Sequence, residues 1–191
     1  GFQRVGDLAW ASGDQQARGF LIGATSGRTT LNGEGLQHQD GHSHLVAATI
    51  PNCVSYDPTY AYEVAVIVHH GLEVMYGRRE SKFFYITTMN ENYQHPEMPA
   101  GAEEGIIRGM YRVESAAAKA KAVVQLMGCG TILREVRAAA ALLRQDFGVD
   151  ADVWSLTSIN ELRRDGLDAE RWNMLHPTAK VPRVPMFSAA V

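Results

Sequence analysis

The chain has 191 residues, 46% hydrophobic and 20% charged, with a formal net charge of −3, an ordinary balance for one sizeable globular domain or two small ones. No Lys/Arg cluster interleaves with aromatic residues, which argues against a nucleic-acid surface. No apolar run reaches the ~20 residues that span a bilayer, and no signal-peptide pattern opens the chain.

The chain begins GFQRVGDLAWAS, an apolar pattern that is already running without a cap. Phe2, Val5, Leu8 and Ala9 share one face of a predicted helix. A helix without a start signal predicts a chain cut from something longer. RGFLIGAT reads as a short buried strand. The stretch TSGRTTLNGEGLQHQDGHSH is then long, polar and rich in glycine, without a period of its own. Loops beyond ~12–15 residues are uncommon in compact domains and are usually functional or disordered. LVAATIP turns apolar, and NCVSYD reads as a second strand. Residues 59–76 are apolar nearly all round, which predicts a buried helix or a dimer interface, with Pro58 near its start. KFFYITTMN, aromatic and β-branched, is the third strand.

A seam follows. ENYQHPEMPAGAEEG holds prolines, glycines and acids, and places a boundary near Pro96 to Gly105. A short helix and GMYRVE lead out of it, and SAAAKAKA predicts a surface turn. KAVVQLMGCG reads as a buried strand ending in glycines that let it turn into a helix. TILREVRAAAALLRQDFGV is that helix, with Ile132, Val136, Ala139, Ala140 and Leu143 toward the core and Gly148 as its stop. ADVWSLTS is the next strand, and INELRRDGLDAERWNML is a helix with a break at Gly166. Strand, helix, strand and helix with short connections predict a parallel α/β layer. Cys53 and Cys129, far apart in apolar surroundings, predict buried, reduced thiols of a cytoplasmic protein. They form no sulfur-based metal pattern.

Gly33 to His44, GEGLQHQDGHSH, concentrates the chemistry. His38, His42 and His44 with Asp40 offer metal-binding groups, but Gly41 argues against a helix that would converge them. Gly33 and Gly35 match the start of a dinucleotide loop, but His38 stands where its third glycine belongs. Glu34, His38, Asp40 and His44 could instead serve acid–base chemistry, on a glycine-rich backbone that a ligand can approach closely. A solvated polar loop is the plain alternative. His69 and His70 sit in the apolar helix as buried or interface histidines, His95 lies in the seam, and His176 before Pro177 ends a helix. Trp10, Trp154 and Trp172 are expected in the core.

Longer stretches carry more than pattern. DQQARGFLIG and GEGLQHQDGHSH, with IPNCVSYDPTYAYEVAVIV, YITTMNENY and RWNMLHP, resemble the homodimeric bacterial pyruvate dehydrogenase E1 component over essentially the whole chain. QDGHSH is also similar, more loosely, to the corresponding loop of transketolases. The resemblance implies an α/β fold in two partial domains. Residues 1–100 would be the later part of a thiamin-diphosphate (pyrimidine-binding) domain. Residues 101–191 would begin a transketolase-type C-terminal domain, each with a parallel sheet and flanking helices.

It further implies thiamin-dependent oxidative decarboxylation of pyruvate and transfer of the two-carbon unit to the lipoyl domain of dihydrolipoyl acetyltransferase (E2). By the same resemblance, His38 hydrogen-bonds the substrate or its carbanion/enamine adduct, and Glu34 orients that histidine or tunes it. Asp40 and His44 lie near the substrate pocket. The cofactors implied are thiamin diphosphate and magnesium. The magnesium–diphosphate motif and the glutamate that activates the aminopyrimidine lie outside these 191 residues, so the isolated segment is expected to be inactive. Two rivals remain: a transketolase-like ketol transferase, which would need basic residues for sugar phosphates, and a non-catalytic dimerisation or docking fragment.

Overall fold

The computed structural model describes residues 2–24 and 42–191. These contain two three-stranded sheets. The first is wholly parallel: β1 (Phe20–Gly23), β2 (Cys53–Tyr56) and β3 (Phe83–Thr87) lie in the order β1-β3-β2. Every residue of β2 and β3 is buried, as strands covered on both faces require. One face packs on Phe2, Ala9, Ala47 and Ile50, supplied by the N-terminal segment with α1 (Gly6–Asp14) and by α2 (Ser43–Ala47) and the turn after it. The other face packs on α3 (Ala61–Leu72), which runs on through a π-helical turn at Glu73–Gly77 and buries Ile67, Val74 and Met75 against Phe84 and Ile86.

Residues 88–102 form no helix or strand. After α4 (Glu103–Arg108), the second sheet runs β4-β6-β5, with β4 (Met110–Glu114) antiparallel to β6 (Asp150–Leu156) and β5 (Val123–Gly128) parallel to it. Between β5 and β6 lies α5 (Ile132–Leu142), extended by a π turn at Leu143–Phe147. After β6 come α6 (Ile159–Leu175) and α7 (Met186–Ala190). Gly148 ends the α5 segment in the left-handed conformation, as its sequence position predicts.

Several expectations need correction. Phe2 and Ala9 are buried, but Val5 and Leu8 are exposed, because a 3-10 turn at Phe2–Arg4 puts Phe2 out of phase with α1. On α5 the inward face is Leu133, Val136 and Ala140; Ile132 and Ala139 point outward. The cause is a close approach at Gly128. A Cβ there would lie 2.9 Å from both the Leu133 Cα and the Val136 Cγ2, so that row of the helix sets the phase. Gly166 does not break α6. Its Cβ position is open space, and one interior glycine costs only about 1 kcal/mol. GMYRVE, a connection in the sequence reading, is the antiparallel edge strand β4. Trp10 is 43% exposed rather than core, and Trp172 is half-buried, stacked on His176. His69 is exposed, and His70 is half-buried edge-on to Phe84. Cys53 is buried but Cys129 is only partly so; both are free thiols.

The two sheet units are joined by hydrogen bonds as well as by apolar packing. The Asp57 N–H donates to the Thr157 carbonyl at 2.7 Å, and Ser158 Oγ to the Ser55 carbonyl at 2.6 Å. Arg164 Nη2 donates to the Cys53 carbonyl and Tyr56 Oη to the Ile107 carbonyl, each at 2.8 Å. No helix of the described residues is long and apolar enough to cross a membrane.

Candidate active site

Ligands of open parallel sheets bind outside the carboxyl ends of the strands. At that edge of the first sheet, Tyr56 pairs with Ile86, so the next residues, Asp57 and Thr87, emerge side by side. Thr87 is 0% and Asp57 7% exposed. Thr87 Oγ1 donates its one proton to Asp57 Oδ1 at 2.6 Å; the Tyr56 carbonyl, 3.2 Å away and uncharged, is the weaker acceptor. His44 Nε2 lies 3.2 Å from the same Oγ1. With the hydroxyl hydrogen of Thr87 directed at Asp57, Oγ1 accepts here, so Nε2 carries a hydrogen. The His44–Thr87–Asp57 chain thus selects one imidazole tautomer and aims the ring, whose centroid is 5.4 Å from that of Tyr85. An imidazole held this way can hydrogen-bond a substrate and pass a proton to or from it. At the exit of β1, a Cβ on Gly23 would fall 2.4 Å from Tyr85 Oη, so the close passage of that ring requires glycine.

A second polar network lies behind this edge. Glu63, in the first turn of α3, is fully buried. Its Oε2 accepts the backbone N–H groups of Thr59 and Tyr60, satisfying donors that a helix start leaves open. Its Oε1 accepts Tyr111 Oη at 2.6 Å and Ser155 Oγ at 2.7 Å, both from the second sheet. Tyr62 Oη lies 2.6 Å from Tyr111 Oη. Burial pushes the Glu63 carboxyl above the usual range, although the four donors pull the other way. Burial and the Glu63 carboxylate likewise raise the Tyr111 phenol, and burial brings Tyr62 up to about 12. The sequence reading missed Glu63. Its one signal is a lone acid in an apolar helix, in the first turn where it can reach back to the backbone.

Between these networks, a hollow of about 120 Å³ is lined by Thr59, Tyr60, Thr87, Met89, Tyr93 and His95. A larger one of about 480 Å³ shares Tyr60 and Tyr93 and is bounded by Arg134 and Arg137. The His95 ring stacks on Tyr93, centroids 4.8 Å apart, and its Nδ1 accepts the Ala61 N–H at 2.9 Å. The Arg134 guanidinium lies over the Tyr93 ring, 4.8 Å from its centroid, and pairs with Glu91.

Of the residues singled out from sequence, His44 is therefore placed at the strand ends. Glu34, His38 and Asp40 lie outside the described residues. His42 is exposed at the start of α2, and its side chain makes no capping bond. Among the described residues no group of three or more His, Cys, Asp or Glu could hold a metal ion. None of them is assigned as a ligand of the magnesium that the resemblance implies.

The chain is similar to known proteins over both units. Residues 1–96 match the family model described as pyruvate dehydrogenase E1 component middle domain. Residues 109–188 match the transketolase-like C-terminal domain. The chain is 67% identical over 186 residues to the pyruvate dehydrogenase E1 component of Escherichia coli, covering 97% of this chain and 21% of that protein. It is 67% identical over 180 residues to that of Pseudomonas aeruginosa, covering 94% and 20%, and 60% identical over 187 residues to that of Haemophilus influenzae, covering 97% and 21%. It thus spans about a fifth of the length of these relatives. Two transketolase crystal structures from Pichia stipitis, one a mutant and one a complex with sedoheptulose 7-phosphate, superpose with TM-scores of 0.56 and 0.55 at 16% identity. They cover 81% and 82% of this chain, and 22% of each transketolase chain, and show a shared fold. By its match to the middle-domain model and to these relatives, the chain belongs to the pyruvate dehydrogenase E1 component family.

Proposed function

We propose that the chain is part of a cytoplasmic bacterial E1 enzyme that decarboxylates pyruvate and passes the two-carbon unit to the lipoyl group of dihydrolipoyl acetyltransferase. The observation that carries this reading is the His44–Thr87–Asp57 chain at the carboxyl edge of a parallel sheet. Ala24 and His42, which flank the segment with Glu34, His38 and Asp40, belong to the same edge, since Ala24 follows β1 and His42 precedes α2. In this reading the middle domain is residues 1–100 and the C-terminal domain residues 101–191. Thiamin diphosphate, when bound, supplies the carbon nucleophile and the electron sink that decarboxylation needs. This chain supplies hydrogen bonds and protons. His38 contacts the substrate, Glu34 orients His38, and Asp40 and His44 complete the polar wall. Magnesium is held by residues other than those described.

A homodimer is part of the proposal. The outward face of α3 and its π turn exposes Ala61, Ala65, His69, Leu72 and Tyr76. That nearly continuous apolar stripe suits a second copy.

Alanine at His38 or His44 in the full-length enzyme tests the assignment. The expected result is a kcat loss of about 10²–10⁴ with thiamin diphosphate binding retained. A drop in melting temperature or loss of the dimer, with normal kcat in the folded fraction, would assign a structural role instead.

A further inference from the structure

We propose that Asn160, the second residue of α6, is a positioning residue for His44: an amide of the C-terminal unit that holds the histidine segment of the middle unit in register with Thr87. The inference rests on the reading of His44 given above. Asn160 Nδ2 donates to the His44 carbonyl oxygen at 2.8 Å and to Ser55 Oγ at 2.6 Å. The amide orientation follows from chemistry, since a backbone carbonyl has no proton to offer and the NH₂ group must face it. Both hydrogens of one amide are thus engaged. One holds the segment that carries the imidazole, and the other holds β2, the strand that leads directly to Asp57.

That segment needs an external support. α2 has five residues, and the His42 side chain provides no capping bond, so its own hydrogen bonds give little rigidity. The support, by contrast, is anchored. Ser158 caps α6 by accepting the Glu161 N–H at 3.1 Å and donates to the Ser55 carbonyl. The Thr157 carbonyl accepts the Asp57 N–H, and Arg164 binds the Cys53 carbonyl one turn further along α6. His44 is therefore gripped at both ends, by Thr87 at its ring and by Asn160 at its backbone. The ring contact, at 3.2 Å, is already long for a hydrogen bond. A backbone shift of about 1 Å would break it, and misplacement on that scale costs up to ~10²-fold in rate.

The test uses the full-length holoenzyme. Asn160→Ala, and Asn160→Asp, which keeps the size but points an acceptor at the His44 carbonyl, are expected to lower kcat by about 10- to 100-fold. KM for pyruvate and affinity for thiamin diphosphate should be retained. Tyr56→Phe removes a different hydrogen bond between the two units, that of Tyr56 Oη to the Ile107 carbonyl, and serves as the stability control. It should lower the melting temperature and leave kcat within about twofold. Because Asn160 acts through His44, the double variant with His44→Ala should lose no more than His44→Ala alone. The proposal is overturned if Asn160→Ala keeps wild-type kcat, if its loss only follows the folded fraction as for Tyr56→Phe, or if the two losses multiply. If His44→Ala itself retains full kcat, the reading of His44 has failed and the proposal falls with it, an outcome distinct from the other three.

Discussion

Glu63 is a carboxyl group placed where only donors meet it: two backbone N–H groups that cannot change role and two hydroxyls that can. Its raised folded-state pKa has a definite sign. Stability from the neutral form is fully present below the unfolded value near 4.5 and is lost as pH rises through the folded value. Glu63→Gln keeps the neutral shape at every pH. Its carbonyl can accept from Thr59 and Tyr60, while its NH₂ donates to Tyr111 and Ser155, whose hydroxyls rotate to accept. Denaturant melts should therefore show the Gln variant close to wild type at pH 4, and equal or more stable at pH 7. Strong destabilisation of the Gln variant at pH 7 but not at pH 4 would show that the carboxylate is the favoured form. Glu63→Ala strands the two backbone donors and should cost at least about 2 kcal/mol at either pH. The sequence flagged histidines because their chemistry is conspicuous. It did not flag Glu63, whose partners Tyr111 and Ser155 lie 48 and 92 residues away.

At the scale of elements, five of the six strands of the described residues were legible, GMYRVE being the one read as a connection, and helix phase was not. RGFLIGAT, NCVSYD, KFFYITTMN, KAVVQLMGCG and ADVWSLTS all contain strands, because runs of branched and aromatic residues bounded by turn residues are local signals. The inward face of α5 was misread because its alanine-rich surface offers several nearly equivalent faces. The choice among them is made by the contact at Gly128, outside the helix. A similar contact joins α4 to α6. Gly109 has a φ of 113°, and a Cβ there would lie 2.4 Å from the Ser158 carbonyl oxygen. Gly109→Ala combines a strained backbone with a clash against backbone, so it should destabilise by more than about 1–2 kcal/mol. It should also loosen the start of α6. Chemical denaturation measures the first effect, and amide exchange at Glu161 and Leu162 the second. Unchanged stability would mean that α4 can move away from α6 freely.

For the whole molecule, the two units share hydrogen bonds that neither could satisfy alone, among them those of Ser158, Asn160 and Arg164 to β2 and the His44 segment. The candidate site therefore draws on both units. The 191 residues contain no magnesium–diphosphate motif, and the relatives are about five times as long. Calorimetric titration of this chain with thiamin diphosphate and magnesium should accordingly give no micromolar binding. A micromolar dissociation constant would relocate the cofactor site into these residues.

The sequence by itself determined most of the element types, the α/β class, the stop at Gly148 and the likeness to pyruvate dehydrogenase E1 components, because periodicity, turn chemistry and extended motifs act over short stretches of chain; it did not mark α2, β4 or α7. The tertiary structure alone decided that His44 meets Thr87 and Asp57, that Glu63 is buried among donors from the second sheet, and that Asn160 reaches back 116 residues to the His44 carbonyl. The physical reason is register. Which polar groups become neighbours at a sheet edge depends on strand pairing and on how closely glycines let elements approach, and both are settled only when distant segments pack together.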